Sequence, residues 1–304
     1  MPEQRVRVAV DGHELELSNL DKVLYPEVGF TKGEVIDYYV RVADVLLPHL
    51  ADRPLTRVRY PDGVDGGSFF EKNKPAGTPP WVRTQRLPVP GSASGRQTLD
   101  FVVVDSVATL VWLANLAAIE LHTPQWRLVD GRPGNPDLLV VDLDPGPGTG
   151  LPECCLVAVA VRERLEYDGL TPLAKTSGRK GMQLLARLDG ARTSDEVSAY
   201  AKQVAEDLAA ALPDLVTARM AKHLRPGKVF IDWSQNNPYK TTIASYSLRG
   251  RARPTVATPI TWDEVRACRR PEQLVFTIDD LPGRIAEYGD LMAPVLQPGP
   301  QLTV

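Results

Sequence analysis

The sequence predicts an α/β fold of the α+β kind. Three observations carry that expectation. The chain has 304 residues, 43% hydrophobic and 24% charged, enough to bury one large core or two coupled lobes. Short runs that alternate apolar and polar residues, the pattern of strands, recur between longer segments of helical spacing. No internal repeat and no linker long enough to separate independent domains interrupts them.

The elements follow in chain order. Arg5 to Val10, the turn dipeptide Asp11-Gly12 and His13 to Leu17 read as a β-hairpin. Thr31-Lys-Gly-Glu34 is a capping box, and Val35, Ile36, Tyr39, Val42, Ala43, Leu46 and Leu47 continue at helical spacing, predicting one long helix up to Pro48. Residues 61–80 are rich in glycine and proline and read as a long functional loop, ordered around Phe69-Phe70. Strands are expected at 81–87, 100–104 and 138–144, with helices after Asp105 and after Leu151. Further strands fall at 173–176 and 182–188, and a helix runs from Ser194 to Leu212, stopped by Pro213. Val229-Phe-Ile-Asp-Trp233 is a short apolar strand with a carboxylate inside it. Beyond Pro254 come strand-like segments, a capped helix at Thr261-Trp-Asp-Glu264, a helix near Leu281 and a proline-rich tail expected to fray.

Composition excludes several classes. A net charge of −3 argues against a protein that coats nucleic acid non-specifically, so any binding is local. Basic residues do gather between Arg219 and Lys228 and between Arg249 and Arg253. No stretch approaches the roughly 20 apolar residues that span a bilayer, and the expectation is a cytoplasmic protein with no membrane partner. Cys154, Cys155 and Cys268 make neither a disulfide framework nor a Cys-x-x-Cys zinc pair and read as buried packing.

The sharpest chemical feature is Leu139-Val-Val-Asp-Leu-Asp-Pro145. In a strand, i and i+2 share a face about 6.6 Å apart, so Asp142 and Asp144 converge. A third acid, Asp232, sits in an equally apolar run, where an uncompensated buried charge is costly. Three acids around one or two divalent cations satisfy each other; in two-metal sites the ions lie about 3.5–4 Å apart and serve phosphoryl or nucleotidyl transfer. Lys175-Thr-Ser-Gly-Arg-Lys-Gly181 leaves a strand through two glycines beside a hydroxyl and several cations, a phosphate cradle that is not a Walker A loop.

Asp142-Leu-Asp-Pro145, Thr176-Ser-Gly-Arg-Lys-Gly181 and Phe230-Ile-Asp-Trp-Ser-Gln-Asn236, in that order, resemble the three catalytic motifs of the archaeo-eukaryotic primase superfamily, and within it the polymerase module of bacterial DNA ligase D. The resemblance extends to Ser18-Asn-Leu-Asp-Lys-Val-Leu-Tyr25, Leu121-His-Thr-Pro-Gln-Trp126 and Lys240-Thr-Thr-Ile-Ala-Ser-Tyr-Ser-Leu-Arg-Gly250. It implies a primase-type core with central mixed or antiparallel sheets flanked by helices. One catalytic domain would cover 1–295, with a 5′-phosphate-binding part to about residue 90, a core from about 91, and a flexible tail at 296–304.

Carried over by position, the resemblance makes Asp142, Asp144 and Asp232 ligands of two divalent ions, Mn²⁺ or Mg²⁺. It puts Ser177, Lys180 and Arg249 on the incoming triphosphate, His122 at the nucleotide sugar, and Arg225 and Gln235 nearby. Asn19, Lys22 and Lys32 match the pocket for a 5′-phosphate on downstream DNA, Lys32 standing in the first turn of a helix that itself favours an anion. Phe70, with Phe69, would stack on a template base, a contact of roughly 1–3 kcal/mol per base. One position departs: the second motif ends Gly-x-His in the family, and here Gly181-Met182-Gln183 replaces a chargeable side chain with an amide.

The function implied is a nucleotidyltransferase favouring ribonucleotides that extends DNA ends or fills gaps in end joining, acting on gapped, overhanging or 5′-phosphorylated DNA with nucleoside triphosphates. The rival is a DNA-end or 5′-phosphate-binding repair protein with weak or no polymerase activity. No Lys-x-Asp-Gly adenylation motif occurs, so a separate DNA ligase and a Ku-like end-binding protein are the expected partners, and a nucleoid-associated location follows.

Overall fold

In the computed structural model, residues 5–89 and 95–303 are described. The expected division of the chain near residue 90 and the last residue of its tail lie outside them.

The chain opens with the expected hairpin, β1 (Arg5–Val10) and β2 (His13–Ser18), in register from Arg5 opposite Ser18 to Val10 opposite His13. Asp11 and Gly12 both have positive φ, as a tight two-residue hairpin turn requires. β3 (Val23–Tyr25) and β4 (Phe30–Thr31) lead into α1 (Lys32–Arg41) and α2 (Ala43–Leu50). Thr31 and Glu34 form the capping box. The single long helix of the sequence reading is two: Val42, at ψ 4°, redirects the chain, so that α1 buries Tyr38 and Tyr39 and α2 buries Leu46 and Leu50. Pro48 does not stop α2; it lies within it at the cost of one ladder bond.

β5 (Pro54–Arg59) follows, and β6 (Phe69–Glu71) gives the glycine-rich loop a strand paired with β5. Then come β7 (Thr84–Pro88), β8 (Thr98–Val103), α3 (Val107–Asn115), β9 (Ala118–Thr123), β10 (Trp126–Val129), β11 (Arg132–Pro136) and β12 (Leu138–Pro145). The remainder comprises α4 (Leu151–Tyr167), β13 (Pro172–Thr176), β14 (Met182–Arg187), α5 (Ser194–Ala211), β15 (Val216–Thr217), β16 (Val229–Asp232), β17 (Thr242–Ile243), β18 (Pro259–Ile260), α6 (Trp262–Ala267) and α7 (Leu281–Tyr288).

Two six-stranded sheets organise these elements. One, in the order β15-β16-β12-β14-β13-β18, is antiparallel except between β15 and β16; the other runs β17-β9-β5-β8-β7, with β6 added on β5. Mixed and antiparallel sheets flanked by helices are the architecture expected. Each sheet has its own core: the β12 sheet against α4 and α5 through Val157, Val161, Val197 and Val204, the β5 sheet against α1 to α3 through Tyr39, Leu46, Leu110 and Leu113. Burial of all three cysteines in such packing matches their reading.

Within the proline-rich tail, a side chain is buried and a backbone carbonyl is paired. Leu302 is 1% exposed within the α4–α5 core, and the backbone of Asp189 donates to Pro300 O at 3.1 Å. No helix among the described residues is long and apolar enough to cross a membrane.

Candidate active site

Strand alternation sorts the side chains of the β12 sheet. Leu139, Val141 and Leu143 point into the α4–α5 core, whereas Leu138 and Val140 lie on the opposite face, which Asp142 and Asp144 continue. Register does the rest. Asp232 of β16 stands opposite Asp142 on one side, Gln183 of β14 stands opposite it on the other, and Lys175 of β13 faces Gln183. Four strands thus align Asp232, Asp142, Gln183 and Lys175 in one row, with Asp144 one step along.

Carboxylate oxygens of Asp142, Asp144 and Asp232 lie within 4.8 Å of one another. Asp232 is oriented by the Ser234 N–H at 3.1 Å and the Gln235 amide at 2.7 Å. Burial and then the charge of Asp144, with Asp232 adding to them, push the Asp142 carboxyl up to about 7, against a hydrogen bond from Gln183 and the charge of Lys175. Asp144 is raised too, by burial and then by Asp232, with Arg225 opposing. Three crowded acids that resist ionising together fit a hard divalent cation with oxygen ligands, which would remove that repulsion.

Beside the acids opens a cleft of about 480 Å³ whose lining includes His122, Ser177, Lys180, Gln183, Arg225, Gln235 and Arg249 as well as Asp142 and Asp144. Every nucleotide-side residue of the sequence reading therefore meets in one cavity. The Ser177–Gly181 turn depends on glycine: Gly178 has φ +67° and a Cβ there would strike Arg249, while a Cβ on Gly181 would strike Leu143 O. Arg225 lies over the Phe230 ring at 3.7 Å, and Arg251 joins the rim.

The cationic wall is organised by a residue the sequence reading passed over. Glu120 of β9, 2% exposed, meets His122 Nε2 at 3.0 Å, Arg179 Nη2 at 2.8 Å and Arg249 Nη1 at 3.3 Å, and accepts from the Gly250 N–H at 3.0 Å. Burial opposes its ionisation, but the His122 hydrogen bond and the charges of Arg249, His122 and Arg179 hold its pKa down at about 2. Burial lowers the His122 pKa despite Glu120, favouring neutral imidazole, and brings Arg249 down to about 10. Lys175, 1% exposed, is brought to about 7 by burial and then by Arg249, with Asp142 opposing; its ammonium donates to Ile243 O of β17, tying the two sheets together at the cleft.

The DNA-side residues gather elsewhere. Asn19, at φ +51°, turns the chain so that Lys22 N donates to Asn19 O and Lys32 N to Lys22 O, which brings all three together. Their ammonium groups differ: Lys22 is exposed and 3.1 Å from Asp62, whereas Lys32 is 5% exposed and donates inward to Ser18 Oγ and Asn115 O. Phe69 and Phe70 are 53% and 61% exposed on β6, not core residues, and Phe70 meets His122 edge-on at 6.4 Å between centroids. Phe70 therefore stands beside the cleft that His122 lines.

The family model for the LigD primase-polymerase domain matches residues 31–292. The chain belongs to this family. It is 45% identical over 282 residues to the multifunctional non-homologous end joining protein LigD of Mycolicibacterium smegmatis, covering 92% of this chain and 36% of that protein. To the bifunctional non-homologous end joining protein LigD of Bacillus subtilis it is 34% identical over 276 residues, covering 90% and 43%. The polymerase domain of Mycobacterium tuberculosis ligase D, solved in complex with DNA, superposes with a TM-score of 0.87 at 44% identity, over 94% of this chain and 99% of that one. The chain thus spans less than half the length of these curated relatives and nearly all of the solved domain.

Within this LigD primase-polymerase domain, the residues missed were Glu120, Arg179, Lys175 and the Thr241–Ile243 edge of the cleft. Glu120 carried a usable signal: it is the one charge in the apolar run Ala117 to Leu121, immediately ahead of the singled-out His122. Lys175 and Arg179 stood inside the cradle motif without a role. Thr241 and Thr242 carry no signal in isolation, because only pairing of β17 with β9 brings them beside His122.

Proposed function

We propose that this chain is a metal-dependent nucleotidyltransferase that adds nucleotides, with a preference for ribonucleotides, to DNA ends or gaps during end joining. The observation that carries the reading is the convergence of Asp142, Asp144 and Asp232 at the mouth of a cleft lined by Ser177, Lys180, Arg225 and Arg249. Acids that would hold cations stand beside cations that would hold a polyphosphate. Membership of the LigD primase-polymerase family and likeness to a polymerase domain solved with DNA support the same reaction class.

Asp142, Asp144 and Asp232 would hold Mn²⁺ or Mg²⁺, two ions in the full site, and when bound these supply Lewis-acid stabilisation of the phosphoryl oxygens and a lower pKa for the attacking hydroxyl. The protein supplies the remaining functions. Lys180 and Arg249 neutralise the polyphosphate, and Ser177 donates a hydrogen bond from the glycine-bounded turn. Neutral His122 offers its ring to the sugar, which would favour a 2′-hydroxyl, while Gln235 keeps Asp232 in place. Phe69 and Phe70 stack on the template, and Asn19 and Lys22 receive a downstream 5′-phosphate, with Lys32 turning from its inward contacts to Ser18 and Asn115 to join them. A Ku-like end-binding protein and a ligase would complete the repair.

Primer extension on a gapped duplex, with and without Mn²⁺, tests the reading against the Asp142→Ala/Asp144→Ala variant. The wild type should extend the primer and the variant should not, with folding retained. Wild-type extension by the variant would refute the acid assignment. Tight DNA binding without extension by either protein would favour the end-binding reading that Gln183 suggests.

A further inference from the structure

A second cavity, of about 160 Å³, adjoins the nucleotide cleft and shares Thr241 with it. Its walls are flat and largely apolar. Trp126 and Phe101, each 8% exposed, form two of them, and the Trp126 indole is held by donation to Pro238 O at 2.9 Å. Tyr239, 54% exposed, stands at the mouth, where Lys72 spans to its carbonyl at 3.0 Å. Thr56 on β5 is fully buried and lines the cavity, yet its hydroxyl has no hydrogen-bond partner among the described residues. Such a group costs stability unless something satisfies it.

Size and chemistry narrow the occupant. Pockets for drug-sized ligands run from roughly 300 Å³ upward, so this cavity suits one planar heterocycle. Aromatic walls recognise a π-face, a lone hydroxyl recognises a polar edge, and an ammonium at the mouth attracts phosphate. Position narrows it further: Thr56 is the cross-strand partner of His122, and Lys72 directly follows the strand that exposes Phe69 and Phe70. A single strand crossing those two rings would carry its backbone past Lys72 and one base towards Thr56.

We propose that this cavity binds one unpaired base of the single-stranded template, next to the base that directs synthesis, with Thr56 hydrogen-bonding its edge, Trp126 and Tyr239 against its face and Lys72 on its phosphate. The inference rests on the proposed DNA-extending activity. It makes the template strand register-locked: one base is read by pairing while a neighbour is parked in protein.

The test uses primer–template duplexes with a 5′ template overhang carrying an abasic site at successive positions. Affinity is measured for the wild type, Thr56→Val, which removes the hydroxyl at nearly constant volume, and Tyr239→Ala at the exposed mouth. An abasic site at one overhang position should weaken wild-type binding about tenfold. Thr56→Val should weaken binding of the intact overhang about fivefold and Tyr239→Ala roughly tenfold. Both variants should be largely insensitive to the abasic site at that one position, and nucleotide affinity should stay within about twofold. An abasic penalty that is uniform along the overhang, or as large in the variants as in the wild type, would overturn the proposal. So would a second equivalent of free nucleoside triphosphate, bound without DNA and lost in Thr56→Val. Failure of the polymerase reading is visible separately, as a wild type that neither binds nor extends any of these duplexes.

Discussion

Asp142→Asn removes charge at the most crowded of the three acids without changing its shape. The Asp142 carboxyl is pushed from its ordinary 3.8 to about 7, chiefly by burial and then by Asp144. Each pH unit is ~1.4 kcal/mol, so a displacement of roughly three pH units sets an upper bound of about 4 kcal/mol. Titration is shared with Asp144, so about half of that is expected. The sign follows from the raised value: a carboxyl that holds its proton more tightly when folded contributes stability at low pH, present in full below about pH 4 and lost as pH climbs towards 7. Asparagine has nothing to lose over that window. In chelator, the two proteins should therefore melt together near pH 4, and by pH 8 the variant should melt about 4–8 °C higher. Saturating Mn²⁺ at pH 8 should reverse the order, because binding at a hundred times Kd adds ~2.7 kcal/mol to the wild type alone. Melting curves by fluorescence or calorimetry across pH, with and without Mn²⁺, provide the measurement. A difference independent of pH, or equal stabilisation of both proteins by Mn²⁺, would refute the account of these acids as a metal site held at the expense of repulsion.

Three further outcomes are expected. Lys22→Ala should weaken binding to gapped DNA carrying a 5′-phosphate about fivefold more than to its 5′-hydroxyl counterpart, because the lost contact is to that anion; equal losses would make Lys22 a general basic surface. Gln183→His should tighten nucleotide binding increasingly as pH falls from about 8 towards 6, since imidazole charges near 6.5 and a charged donor is roughly twice as strong as an amide; a ratio flat with pH would remove Gln183 from the triphosphate. Glu120→Gln, which keeps shape but releases Arg179, Arg249 and His122 from a common anion, should raise the nucleotide KM by about tenfold with a smaller change in kcat. An unchanged KM would show that the wall organises itself without Glu120.

Much of this protein was legible in its sequence, for physical reasons that particular residues illustrate. Asp11-Gly12 could only be a turn, the capping boxes at Thr31 and Thr261 mark helix starts, and the alternation around Asp142 and Asp144 places two acids on one face whatever the strand's neighbours. These are short-range signals, set by backbone sterics and by side-chain periodicity. The sequence also supplied the identities of the cleft residues through its motif order, and every nucleotide-side residue so named lines one cavity.

What lay beyond it depended on pairing between distant segments. Nothing local tells β12 to take β14 and β16 as neighbours, and it is that register that sets Gln183 and Asp232 on either side of Asp142. Nothing near Val42 says that one helix must become two; the need to bury Leu46 and Leu50 beneath the β5 sheet decides it. Glu120 looked like one charge in an apolar run until β9 packed it among Arg179, Arg249 and His122, and nothing local to Leu302 says that the α4–α5 core receives it. Composition and periodicity determine which faces are apolar and which residues carry charge; partner choice among those faces is a long-range free-energy minimum, and only the tertiary structure states it.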